Sequence, residues 1–210
     1  MANTKTTLDQ LGTYHIAQHP ELYTPSRNNN FVFMFNFPST MTRLLKSGVD
    51  KSTAGNDDYI STALIQETLM LAVNEGAVPH YQQNVVTLKR GNGEVKFAGA
   101  VTYPSGSFKF NDFIGADTKA CLLAIRRLSF NQEDETIPTT TDGNEDNYKA
   151  VTGTLLEYSP DHRLIRYWDM YGVWINELSE GNFSSDDDGK REITATIQYD
   201  RAIEHAASNQ

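Results

Sequence analysis

Apolar and polar residues alternate with period two along much of this chain, most cleanly in Arg191-Glu-Ile-Thr-Ala-Thr-Ile-Gln-Tyr-Asp200. Ile193, Ala195, Ile197 and Tyr199 fall on one side of the run, with Glu192, Thr194, Thr196 and Gln198 on the other. That is the pattern of a strand dry on one face and wet on the other. Residues 149–158 and 164–176 read as strands that accompany it. Near the start, Phe31, Phe33, Phe35 and Phe37 share a face at the same period; aromatic and β-branched content favours strand there, and Pro38 stops it. The pattern predicts a second strand over 65–73, bounded by Gly76 and Pro79, with Gln66 and Thr68 on its polar side.

Val85-Val-Thr-Leu-Lys-Arg90, Gly91-Asn-Gly93 and Glu94-Val-Lys-Phe-Ala98 predict a β-hairpin, because its short loop supplies the positive φ that tight turns demand. Residues 101–110 extend the list of strands. Between Asn111 and Phe130 the period changes: Leu122, Ile125 and Leu128, flanked by Cys121 and Ala124, fall at helical spacing. A helix is expected over 114–129, capped by Asp112 or Asp117 and ending in Arg126 and Arg127, which suit the negative pole of its dipole.

The polar stretches set the domain plan. Residues 1–30 carry Leu8, Leu11 and Ile16 too sparsely to bury a core of their own, so they read as an arm that must lie on something else. A domain over 31–205 follows, with exposed loops at 46–58 and 131–147, and 206–210 read as a disordered tail. The count is about eight strands with one flanking helix, and connections this short favour an antiparallel β-sandwich or small barrel over repeated parallel crossovers.

Charge and cysteine content narrow the function. With 27 acidic and 18 basic residues, a net charge of -9 repels phosphate, so nucleic acid is not an expected ligand. The single cysteine, Cys121, forms no intrachain disulfide and reads as a small apolar core residue, consistent with a reducing interior. No stretch approaches the roughly 20 apolar residues of a membrane span, and no signal peptide is recognisable at the N-terminus, so a soluble protein is expected.

Each local motif for chemistry fails on its own geometry. If Gly189 takes the glycine position of a calcium loop, Asp186 and Asp188 are well placed, but Ser184 and Ala195 stand where the first and last carboxylates belong. In Asp142-Gly-Asn-Glu-Asp146, Asn147 and Gly153 occupy the corresponding key positions. His15 and His19 have the spacing of a helical zinc pair, without a third ligand nearby. His80, His162 and His205 have no partner close in sequence. Gly91-Asn-Gly93 leads into a strand and not into the helix that a phosphate loop requires. No cofactor, metal or catalytic set is therefore expected, and the protein reads as non-enzymatic. Trp168 and Trp174, with Tyr167 and Tyr171, leave open a carbohydrate-binding module if their rings are exposed; a core or subunit-contact face is the alternative.

The order of these elements, and several phrases within them, resembles the tail tube proteins of contractile-tailed bacteriophages. The phrases are Asn30-Phe-Val-Phe-Met-Phe35 after an arm, Ala77-Val-Pro79, Val86-Thr-Leu-Lys-Arg-Gly91 and Tyr103 to Asn111 leading into the helix. Tyr148 to Tyr158, Tyr171-Gly-Val-Trp174 and Ile193-Thr-Ala-Thr-Ile-Gln-Tyr199 complete them. The resemblance covers roughly residues 20–205; its fold is similar to the tube protein of the type VI secretion apparatus, and the loops at 46–58 and 131–147 depart from shorter members.

The resemblance implies a virion structural protein of the tail, assembled in the host cytoplasm. Its copies would close into hexameric rings with one continuous inner β-barrel and stack into the channel for genomic DNA. It also implies a sheath protein, a baseplate hub and a tail terminator as partners, with the arm at 1–30 making contacts between rings; the tube protein of a phage-like secretion machine is the alternative within the same class. DNA in transit must not bind the wall, so an acidic or hydroxyl-bearing lumen is expected. Glu192, Thr194, Thr196 and Gln198 are the leading lumen-lining residues, with Gln66 and Thr68 behind them.

Overall fold

The phenylalanines of Phe31–Asn36 explain how the domain starts. Phe33 and Phe35 are fully buried, whereas Val32 and Met34 on the opposite side are half-buried. The architecture is that of a computed structural model, which describes residues 25–38, 45–46, 59–132, 135–137, 147–181 and 189–207. In sequence order the strands are β1 (Phe31–Asn36), β2 (Leu45–Lys46), β3 (Tyr59–Ile60), β4 (Val73–Gly76), β5 (Gln82–Arg90) and β6 (Gly93–Thr102). They continue with β7 (Gly106–Asn111), β8 (Thr152–Tyr158), β9 (Leu164–Tyr171), β10 (Trp174–Ser179), β11 (Glu192–Gln198) and β12 (Arg201–Ala206). The helices are α1 (Thr62–Ala72) and α2 (Thr118–Arg127).

Two antiparallel four-stranded sheets share one core. The first runs β1-β8-β9-β12 and the second β10-β11-β7-β4. The Phe33 and Phe108 rings meet between them at 4.4 Å. Phe110, Met170, Ile175, Ile193 and Ile197 are also buried in this core. Gly76 on β4 makes room for the Phe108 ring, since a Cβ there would stand 3.0 Å from it.

The expected helix lies at Thr118–Arg127, shorter than 114–129 because residues 114–117 form a turn. Asp117 is its cap, accepting the Ala120 N–H at 3.2 Å. The expected strand at 65–73 is instead helix α1. Ser61 caps it by accepting the Leu64 N–H at 3.2 Å, and Ile65, Thr68, Leu69 and Ala72 form a buried face at helical spacing. Gln66 and Thr68 therefore sit on a helix and not on a strand: Thr68 is buried, and the Gln66 amide donates to Asn36 Oδ1 at 3.4 Å.

The run read as one strand over 164–176 breaks at Gly172, whose φ of +66° ends β9 and turns the backbone into the other sheet. A second crossing joins β11 to β12, where the Asp200 N–H donates to Tyr171 O at 2.9 Å. Strand β12 reaches Ala206, one residue into the stretch read as tail; residues 208–210 lie outside the described residues. The strand expected over 149–158 starts three residues later, after a 3-10 turn at Tyr148–Ala150. That expected over 101–110 is divided at 103–105, where Pro104 interrupts it. Residues 47–58, most of 131–147 and the arm up to residue 24 lie outside the described residues, as do His15, His19, Asp142 to Asp146 and Asp186 to Asp188.

Candidate assembly surfaces

The register of the second sheet builds a continuous polar wall around β11. Thr196 lies between Glu177 and Ser107, Thr194 between Ser179 and Lys109, and Glu192 opposite Asn111. Gln198 pairs with Trp174. The intervening residues Ile193, Ala195 and Ile197 are buried, whereas Glu192, Thr194, Thr196 and Gln198 are half-buried. The alternation expected from sequence thus holds, and four of the six expected lumen residues share one face.

The charges on that wall are matched locally. Lys109 Nζ lies 2.5 Å from Glu75 Oε2, and Lys190 Nζ lies 2.8 Å from Glu192 Oε1. Asn74 also donates to Glu192 at 2.8 Å. The hydrogen bond from Lys190 is the main influence holding the Glu192 carboxyl below its ordinary range, and that to Glu75 raises the Lys109 ammonium above its own. Three glutamates (Glu75, Glu177, Glu192) face two lysines (Lys109, Lys190), so the wall is polar and slightly acidic, with both lysines paired.

The second surface is the ribbon β5–β6. Among the described residues its strands pair only with each other, and all but one of their residues are exposed. It is inserted between two paired strands of the second sheet, since β4 leads into β5 and β6 returns into β7. At nine residues, β5 reaches roughly 30 Å. On one face Val86 stands opposite Phe97 and Leu88 opposite Val95, and all four are more than half exposed. The other face carries Thr87 opposite Lys96 and Lys89 opposite Glu94. An isolated two-stranded ribbon is at best marginally stable in water, and an apolar stripe on it calls for a cover.

The ribbon is also electrically distinct. Its three basic residues (Lys89, Arg90, Lys96) against Glu94 give +2, which leaves 15 basic and 26 acidic residues, or -11, in the rest of the sequence. The sequence predicts the hairpin at 85–98 but not its full extent or exposure. The available signal is Val86, Leu88, Val95 and Phe97 on one face, a period-two pattern that by itself specifies strand and not what covers it.

Two cavities flank Trp168. One of about 550 Å³ is lined by Asn30, Phe31, Val78, Leu155 and Glu157, and one of about 250 Å³ by His80, Tyr81, Tyr103 and Glu204. Among the described residues, no group of three or more His, Cys, Asp or Glu is placed to hold a metal ion, and no helix is long and apolar enough to cross a membrane. His205 stacks on Tyr167 with ring centroids 4.7 Å apart and lies 3.6 Å from Asp169. Trp168 is only 6% exposed, and Trp174 packs edge-on to Tyr148 at 6.1 Å. The two tryptophans belong to different sheets, so they do not form the shared face expected of one regular strand.

No protein family model and no curated protein matches the sequence. Solved structures match its fold. A subunit in the sheath–tube complex of an extracellular contractile injection system, PVC, in its extended state superposes with a TM-score of 0.55 at 14% identity, covering 93% of this protein and 99% of the other. A subunit of the anti-feeding prophage baseplate gives 0.56 at 9% identity, with 88% and 98% covered. The tube-terminating cap of the same prophage gives 0.54 at 10%, with 87% and 92% covered. The protein therefore has a contractile-tail tube-like fold, mainly β, with antiparallel sheets and, among the described residues, two helices.

Proposed function

We propose that this protein is a non-enzymatic structural subunit of a phage tail tube, whose copies close into hexameric rings that stack into a DNA-conducting channel. One observation carries the reading: the ribbon β5–β6, inserted between β4 and β7 of the second sheet, pairs with no third strand at either edge among the described residues and leaves an apolar face exposed. Identical copies complete such edges by pairing with them, which is how closed assemblies remove the liability of open strands. The second sheet then becomes a segment of a continuous inner barrel. Its wall of Glu192, Thr194, Thr196 and Gln198 faces the bore; Gln66 and Thr68, being on α1, are left out of it. A wall whose lysines are already matched by glutamates gives passing DNA little to release counterions against, so the polymer slides.

In this reading the tube sits within a sheath in the virion tail, joins a baseplate hub below and a terminator above, and is assembled in the host cytoplasm. Residues 1–30 reach the neighbouring ring. A second reading, the tube of an injection machine, is favoured by the three structural neighbours from such machines. A carbohydrate-binding role has little support from Trp168, whose ring is buried.

Negative-stain electron microscopy of the purified protein at high concentration tests the assembly. Hollow rods or six-fold annuli are expected, and a protein that remains monomeric at every concentration and with a baseplate seed refutes it. DNA inside tubes isolated from producing cells distinguishes the phage tail from the injection machine.

A further inference from the structure

We propose that Asn92, at the tip of the ribbon, is a site of spontaneous deamidation. Gly91 and Asn92 are the central residues of the turn between β5 and β6. Gly91 has a φ of +64° and Asn92 is not among the residues at positive φ, which is the pattern of a type II′ turn. Asn92-Gly93 is the sole Asn-Gly pair in the sequence. Both residues are exposed. A Cβ added at Gly91 would have nothing within 4 Å, and one at Gly93 would meet only Arg90 O at 3.8 Å.

The chemistry uses only these two residues and water. The Gly93 backbone nitrogen attacks Cγ of Asn92 and loses its proton. The new N–C bond forms as the bond from Cγ to Nδ2 breaks, and Nδ2 leaves as ammonia. A five-membered succinimide results. Water then opens one of its two carbonyls, returning either aspartate or isoaspartate at position 92. No oxidant or reductant takes part. Gly93 favours the attack because it has no Cβ to obstruct the approach and more backbone freedom than any other residue. The Arg90–Gly93 pair that closes the turn must open first. Ends of a two-stranded ribbon with no third strand open at low cost.

The product matters because of where it stands. A carboxylate at residue 92 lowers the ribbon from +2 to +1, beside Lys89 and Arg90. Isoaspartate also adds a backbone carbon to the turn. If the ribbon pairs with a second copy, as the proposed function holds, and the rest of that copy carries the -11 given above, modified subunits assemble less well and docked tips are protected from modification.

The full-length protein is incubated in warm, mildly alkaline buffer and followed by peptide mass mapping and isoaspartyl methyltransferase labelling. Isoaspartate is expected at residue 92 before any other asparagine. Asn92→Ser, which suits the same turn position, loses the signal. Gly93→Ala, whose Cβ fits, suppresses it while circular dichroism stays unchanged. Reaction at another asparagine first overturns the proposal, as does an unmodified residue 92 under conditions in which a free peptide of residues 86–98 reacts. A separate comparison of assembled and unassembled fractions addresses the consequence: modified subunits are expected in the unassembled pool. Their equal distribution removes the link to assembly and leaves the modification site standing.

Discussion

Lys109 and Glu75 face each other across β7 and β4, with Nζ 2.5 Å from Oε2, so a lysine in the middle of the polar wall is neutralised by the strand beside it. The pair is exposed, and exposed pairs contribute little to stability. Its effect is on the field of the wall. Glu75→Gln is expected to leave the melting temperature nearly unchanged but, in the proposed ring, to free a cation repeated around the bore. Assembled Glu75→Gln tubes should then retain DNA in a polarisation assay at low salt and release it as salt rises, whereas wild-type tubes should not retain it. Wild-type tubes that already hold DNA as firmly would remove the argument for a non-adhesive wall.

Leu88 and Phe97 are 55% and 54% exposed, so their replacement removes little buried surface within one subunit. The double variant Leu88→Asn, Phe97→Asn should unfold within about 0.5 kcal/mol of wild type, the usual range for surface changes. It should also fail to form rods at any concentration. Denaturation and microscopy on the same sample separate the two effects, and unimpaired rod formation would show that the ribbon face is not a contact.

The sequence makes the strands legible where one face is dry. In β11 the alternation of apolar with polar residues, and in β1 the recurrence of phenylalanine at every second position, have a single reading, and the register follows it. It fails at 65–73, because Ile65, Leu69 and Ala72 fit a helix spacing while their neighbours Leu64, Met70 and Leu71 blur the contrast between faces. The Ser61 cap is the decisive local signal there. At Gly172 the run of aromatic and aliphatic residues continues on both sides, so period two cannot reveal that the backbone switches sheets; only the positive φ does. The β11 part of the polar wall, Glu192, Thr194, Thr196 and Gln198, is readable from the alternation. The partners of Glu192, namely Lys190 and Asn74, are not, since Asn74 comes from a strand 118 positions away.

Gly172 is expected to tolerate no side chain. Its φ is +66°, and a Cβ would overlap the Asp200 carboxylate, which Lys149 holds at 2.6 Å. Gly172→Ala should cost about 1–3 kcal/mol through backbone strain and displacement of that carboxylate. Urea titration measures it. Asp200→Ala in the same background should recover part of the loss by removing the overlap; no recovery would assign the whole cost to the backbone.

Phe108 is fully buried, lies 4.4 Å from Phe33 and is bordered by Gly76 and Gly106, so neighbouring backbone cannot easily collapse into its place. Phe108→Ala should therefore cost about 3–5 kcal/mol, in the range for a truncated core aromatic. A loss below about 1 kcal/mol by chemical denaturation would mean that the two sheets do not share this core.

Tyr199 couples stability to alkaline pH. Burial is the main cause that raises its phenol above the ordinary value of 10, opposed by a hydrogen bond from the His80 backbone, with Tyr103 nearby adding to the rise. The folded state therefore favours the neutral phenol. Its contribution is fully present below the unfolded value and is lost as pH rises through the higher folded value. Stability should fall above about pH 10 more steeply in wild type than in Tyr199→Phe, which keeps the ring and cannot ionise. At neutral pH the variant should cost about 0.5–1.5 kcal/mol for the lost hydrogen bond. The other nine tyrosines titrate in both proteins, so the difference between the two alkaline limbs isolates this one. Parallel limbs would show that Tyr199 ionises as readily in the fold as in the unfolded polypeptide, and that the corner it shares with His80 and Tyr103 admits water.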